Sequence, residues 1–83
     1  MKIILSDHAK VQMRERGASK KEVIEALSNG ESFSAKHSRI AYRKNFQYNK
    51  KWGKKIYHIK QVMPIIKKKA NRMIVVTVYT FYF

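Results

Sequence analysis

Acidic residues end at position 31. The 52 residues that follow carry thirteen Lys/Arg and no Asp or Glu, whereas residues 1–31 hold all five acids against six bases. Whatever residues 32–83 fold into, they cannot neutralise their own charge, and thirteen cations without a local counter-charge repel one another. A polyanionic ligand or an acidic partner protein would relieve that repulsion. The whole chain has a net charge of +14 and a pI near 10.3, the electrostatic footprint of a nucleic-acid binder. A solvated domain with Lys-rich turns is the plainer account of the same numbers. The basic residues are not gathered on one amphipathic helix, so a membrane-surface role is not expected.

With 83 residues the chain is expected to be a single domain, 1–83, with a thin core that buries about 60% of its unfolded surface. Apolar residues at 45% are enough for a globular fold despite the charge. The absence of cysteine removes disulfide scaffolds, thiolate zinc sites and cysteine nucleophiles together. No apolar run reaches the ~18 residues of a membrane span. The opening Met1-Lys2-Ile3-Ile4-Leu5 is too short for the apolar core of a signal peptide. A soluble, cytoplasmic protein is expected.

Local signals predict two helices followed by strands. Over residues 6–17, Ser6 is a good N-cap, Asp7 suits the positive end of the helix dipole, and Gly17 stops the helix. Ala9 and Met13 share one face, with His8, Gln12 and Glu15 on a neighbouring polar stripe. Ser19-Lys20-Lys21-Glu22 is a capping box, Val23, Ile24, Ala26 and Leu27 form the buried stripe, and Asn29-Gly30 closes the second helix. From Glu31 the period becomes two. Ile40, Tyr42, Phe46 and Tyr48 alternate with polar residues, residues 49–54 read as a basic hairpin loop, and 56–62 as the next strand. Pro64 marks a bulge or an edge, because proline cannot donate to a ladder. Residues 67–72 form a second turn, and 73–83 the longest strand, apolar on both faces and therefore expected to be central. The expected class is α+β, two N-terminal helices packed on a twisted antiparallel sheet of about four strands.

The chain holds no phosphate-binding glycine loop, no Gly-x-Ser-x-Gly elbow and no pair of histidines at metal-ligand spacing. Three lone histidines and five scattered acids make no metal cage, so neither metal nor cofactor is expected. His, Arg, Lys, Tyr and Thr remain, a set suited to cleavage of RNA by its own 2′-hydroxyl, which needs a base, an acid and cations but no metal. His8 lies near a helix N-terminus, where the dipole favours the neutral, proton-accepting ring. Packing or capping would account for the same position. Arg14 and Arg16 follow on adjoining faces, and a solvated surface is the simpler account of them. Thr77 and Tyr79, spaced by two, point to one face of the last strand. His58 and Lys60 share a face of the preceding strand, either beside them across the sheet, as expected for a site, or simply facing water. Arg43 is a further cation for substrate, and the tyrosines suit stacking of unpaired bases.

The segment His8-Ala9-Lys10-Val11-Gln12-Met13-Arg14-Glu15-Arg16-Gly17, followed by Ser19-Lys20-Lys21-Glu22-Val23 and ending in Val75-Val76-Thr77-Val78-Tyr79, resembles an uncharacterised bacterial family. That family carries His-Ala-x-x-Arg-Met-x-x-Arg-Gly-Ile near its N-terminus and a last strand like Val-Val-Thr-Val-Tyr. It is grouped with RelE/ParE-like and BrnT-like toxins of the barnase and colicin ribonuclease fold. The resemblance implies a RelE-like architecture and points to His8, Arg16 and Thr77, with Tyr79 beside them. Gln12 stands where the pattern has arginine, and Ala18 where it has isoleucine.

Together these features lead to the expectation of a small, basic, toxin-like, metal-independent ribonuclease. In it His8 is acid or base, Arg16 and Lys60 hold the scissile phosphate, and Thr77 and Tyr79 orient the substrate. Arg14, Arg43 and His58 are the further substrate contacts. The expected partner is RNA, ribosome-associated RNA included. The alternatives are a non-catalytic RNA-binding module and a module that docks an acidic, antitoxin-like protein.

Overall fold

Capping chemistry places both helices in the computed structural model, which describes residues 2–83. The Ser6 side chain accepts the Ala9 N–H and opens α1 (Asp7–Arg16); Gly17 closes it in the left-handed region at φ 77°. The Ser19/Glu22 capping box opens α2 (Lys20–Asn29), which ends at Gly30. Around them run β1 (Lys2–Leu5), β2 (Glu31–Ala35), β3 (Arg39–Trp52), β4 (Lys55–Lys69) and β5 (Arg72–Tyr82).

The strands form one five-stranded mixed sheet in the order β1-β5-β4-β3-β2. The expectation of about four antiparallel strands in a RelE-like arrangement is therefore corrected. Residues 2–5 are a strand, and it runs parallel to β5, pairing Lys2 with Arg72 through Leu5 with Val75. A parallel pair has no hairpin to announce it, and the two segments lie at opposite ends of the chain. The central strand is β4, not the last strand, and β4 and β3, with 15 and 14 residues, both exceed β5 with 11. The loop expected over residues 49–54 is mostly strand, since β3 runs on to Trp52 and β4 resumes at Lys55.

Both helices cover one face of the sheet. Ala9, Met13, Ala18, Val23 and Leu27 meet Val62, Ile66, Val75 and Val78 in one apolar cluster. Pro64 is buried in the central strand, opposite Val78 on β5. The β3–β4 ladder pairs Ala41 with Ile65 and resumes at Lys44–Val62, and Pro64, with no N–H to give, falls in that gap.

A register shift sets which side chains of β5 reach the core. Ile65 pairs with Thr77 but Ile66 with Val75, so Val76 is an extra residue in β5. Val75 and Val78, three apart, therefore both face the helices and are fully buried. Thr77 and Tyr79 turn to the opposite face, where Tyr79 and Phe81 remain 38% and 41% exposed and no helix covers them among the described residues.

Gly17 is required twice over. Its positive φ disfavours any side chain, and a Cβ there would lie 2.7 Å from both the Trp52 ring and the Tyr82 hydroxyl. Gly53 shares the positive φ, at 65°, but has nothing within 4 Å. Gly17→Ala is expected to cost on the order of 2 kcal/mol or more, and Gly53→Ala about 1 kcal/mol. Chemical denaturation of the two variants checks the difference, which isolates the close packing at the helix joint.

Candidate functional site

β1 stops opposite Val75, which leaves the outer edge of β5 without a strand partner just where the backbone is half buried. α1 and its N-cap take over that edge with side chains. The Ser6 N–H donates to the Val75 carbonyl at 3.0 Å and the Ser6 hydroxyl to the Val76 carbonyl at 3.4 Å. Gln12 Oε1 accepts the Val78 N–H at 2.8 Å, and Arg16 Nη1 donates to the Val78 carbonyl at 2.8 Å. Gln12 is only 7% exposed. An arginine here, which has no acceptor, could not receive the Val78 N–H.

This arrangement brings several expected site residues to one edge. The Arg16 guanidinium lies over the Tyr79 ring, 5.1 Å from its centroid. Tyr79 stacks with Phe81 at 6.3 Å, and Thr77 precedes it on the same open face. His8 is exposed, one helical turn before Gln12 and two before Arg16 on the same stripe. Among the described residues neither His8 nor Arg14 makes a side-chain hydrogen bond or ion pair.

The remaining candidates lie elsewhere. Arg43 pairs with Glu31 at 3.3 Å and covers the Phe33 ring, towards the β2 edge at the far side of the sheet. His58 Nδ1 lies 3.1 Å from Asn49 Oδ1, near the end of the β3–β4 hairpin. The expectation that His58 and Lys60 flank Thr77 and Tyr79 does not hold: the register sets Ile65 opposite Thr77 and Met63 opposite Tyr79, while Lys60 pairs with Tyr82 on the helix side.

Lys60 is buried and engaged in the fold. Its Nζ donates to the Gly17 carbonyl at 2.6 Å and meets Glu22 Oε1 at 2.8 Å, which pins the joint between α1 and α2 to the central strand. The same Glu22 oxygen accepts the Ser19 N–H of the capping box at 2.9 Å. Burial by itself would raise the Glu22 pKa, but the Lys60 ammonium and the Ser19 N–H together outweigh it and hold it below the ordinary value of 4.5. Beside this pair the Tyr82 hydroxyl donates to the Arg16 carbonyl at 2.7 Å, and burial, with Tyr48 and Glu22 nearby, pushes its pKa up to about 12. Trp52 stacks on Tyr82 at 4.8 Å.

A polar cleft of about 240 Å³ lies where β2 meets β3, lined by Asn29, Glu31, Arg43, Lys44, Asn45 and Gln61. It does not include the β5 edge. Sequence reasoning gave Ser6 and Glu22 capping roles and Gln12 a place on a polar stripe, but not their contacts with β5 and Lys60, nor the stacking of Trp52 on Tyr82. Gln12 alone left a signal: it stands one turn from both His8 and Arg16.

Two outcomes are expected. Gln12→Leu keeps the volume but strands the Val78 N–H, at a cost of about 1–3 kcal/mol in chemical denaturation, while Gln12→Glu, which keeps an acceptor, costs less. Because the Glu22 pKa is lowered by folding, the pair stabilises above the ordinary carboxylate range, and that contribution is lost as pH falls through the lowered value. Glu22→Gln is expected to be less stable than wild type at neutral pH and to converge towards it in acid, read from unfolding midpoints across the acid range.

No curated protein and no solved structure matches the chain. A family model does: the one described as a domain of unknown function, DUF4258, matches residues 5–80. That match spans both helices, strands β2, β3 and β4 and most of β5, with the Ser6, Gln12 and Arg16 contacts inside it, and the chain belongs to the DUF4258 family.

Proposed function

We propose that this protein binds single-stranded RNA on a cationic, aromatic surface, and that the outer edge of β5 is where it would act on the bound strand. The observation that carries the reading is the balance of charge. Three of the thirteen Lys/Arg in residues 32–83 (Arg43, Lys44 and Lys60) pair with a carboxylate; the other ten have none among the described residues. A phosphodiester chain supplies the missing counter-charge, and its exposed bases have aromatic rings to meet in Tyr79 and Phe81.

Cleavage is the second reading, favoured by Arg16 lying against Tyr79 beside Thr77, with His8 on the same stripe. In it the 2′-oxygen forms a bond to phosphorus and the bond to the 5′-oxygen breaks, leaving a cyclic phosphate and a 5′-hydroxyl. His8 takes the 2′-hydroxyl proton, Arg16 offsets charge on the phosphoryl oxygens, and the 5′-oxygen takes a proton from water or the Tyr79 phenol. Kinship with RelE/ParE-like and BrnT-like toxins belongs to this reading and rests on the two motifs alone. Binding takes precedence over cleavage because Lys60, the expected phosphate ligand, is committed to Glu22 and does not flank Thr77 and Tyr79.

Affinity for a single-stranded oligoribonucleotide is expected to fall steeply with salt, with a log–log slope of about −0.7 per phosphate contacted. A salt-independent affinity would remove the RNA reading. Incubation with the same RNA in EDTA tests cleavage: fragments ending in cyclic phosphate are expected from wild type and not from a His8→Ala, Arg16→Ala double variant. Binding without fragments retains the first reading and removes the second.

A further inference from the structure

We propose that Trp52 is a stacking platform for an unpaired base of single-stranded RNA, with Lys50, Lys51, Lys54 and Lys55 taking the adjoining phosphates; this rests on the RNA-binding reading and names a contact within it. Trp52 is the only tryptophan of the chain. It sits at the end of β3, past the last backbone pairing of the C-terminal strand, in which Phe83 bonds His58 and Ile59. Past that point β3 and β4 run on as a two-stranded ribbon that pairs Lys50 with Tyr57, Lys51 with Ile56 and Trp52 with Lys55. Four lysines within six residues and no acid make the ribbon self-repelling until an anion joins it.

The indole is nonetheless held in place. It lies on the Tyr82 ring at 4.8 Å with an interplanar angle of 13°, and Tyr82 is flanked by Tyr48 at 5.3 Å and Tyr57 at 5.7 Å. The Tyr82 hydroxyl is tied to the Arg16 carbonyl, and Gly17 leaves just enough room for the indole edge. Trp52 still keeps 37% of its surface exposed. A ring fixed by its neighbours loses little freedom when a base stacks on it, and stacking accepts any base because each has a π face. Arg16 joins this platform to the β5 edge: its carbonyl receives Tyr82 while its guanidinium reaches Val78 and Tyr79. Arg16 is thus shared between the platform and the proposed site of action.

The single tryptophan makes the test direct. Unlabelled single-stranded oligoribonucleotide is titrated against indole emission, and the same RNA, end-labelled, against anisotropy. The expected result is saturable quenching with the same Kd as the anisotropy change. Duplex RNA of that sequence, with its bases already stacked, should quench much less. Trp52→Ala should weaken binding roughly 5- to 150-fold, the range for loss of one base–aromatic stack, and Trp52→Phe should recover most of it. Anisotropy binding with unchanged emission, or equal quenching by duplex, overturns the platform and leaves the RNA reading standing. No anisotropy change removes the RNA reading itself. Both wild-type measurements decide the matter even if Trp52→Ala fails to fold.

Discussion

A strand edge buried against a helix must have its N–H and C=O groups answered, and in this protein that demand falls on β5 where β1 runs out. Ser6, Gln12 and Arg16 answer it with one hydroxyl, one amide and one guanidinium, which locks α1 in register along the strand. Much of the candidate site follows from that lock. The stripe that seals the edge also carries His8, and Arg16, held at the Val78 carbonyl, is positioned to cover Tyr79. The extra residue at Val76 completes the arrangement, since without it Thr77 and Tyr79 would share the inward face of Val75. Fold and site use the same few contacts, so loosening Gln12 disturbs both.

Electrostatics divides the molecule in a different way. Three of the five acids are spent on cations of the strands, and the Lys60–Glu22 pair does so at the point where both helices meet the central strand. A buried pair of this kind contributes modestly when intact but costs heavily when one partner is removed, because the other charge is then left without compensation. Of the ten Lys/Arg in residues 32–83 with no carboxylate partner among the described residues, eight lie at two hairpin ends: lysines 50, 51, 54 and 55 at one, lysines 67, 68 and 69 with Arg72 at the next. Apart from the Lys60–Glu22 pair, charge thus lies at turns and strand ends rather than in the core.

Much of the local structure was legible in particular residues. Ser6, Ser19 and Glu22 place the helix starts because their side chains satisfy orphan N–H groups within three residues. Gly17 marks the joint through its left-handed backbone. Strand β1 was not legible, since four residues, three of them apolar, that pair with a segment seventy positions away leave no local trace. Gln12 read as part of a polar stripe yet is buried, because its partner is a backbone group of another element. Lys60 read as a ligand for phosphate, and its true partner Glu22 lies on a helix nearly forty residues earlier.

By itself, then, the sequence determined where the helices begin and end, that alternating strands follow, and that the strands carry an excess of positive charge; each of these is a matter of neighbouring residues or of counting. Only the tertiary structure decided the mixed five-stranded sheet, the outward turn of Thr77 and Tyr79, the commitment of Lys60 to Glu22, and the stacking of Trp52 on Tyr82. Each of those depends on a register or a contact between segments far apart in the chain, and one residue of slip in a strand reverses every side chain beyond it.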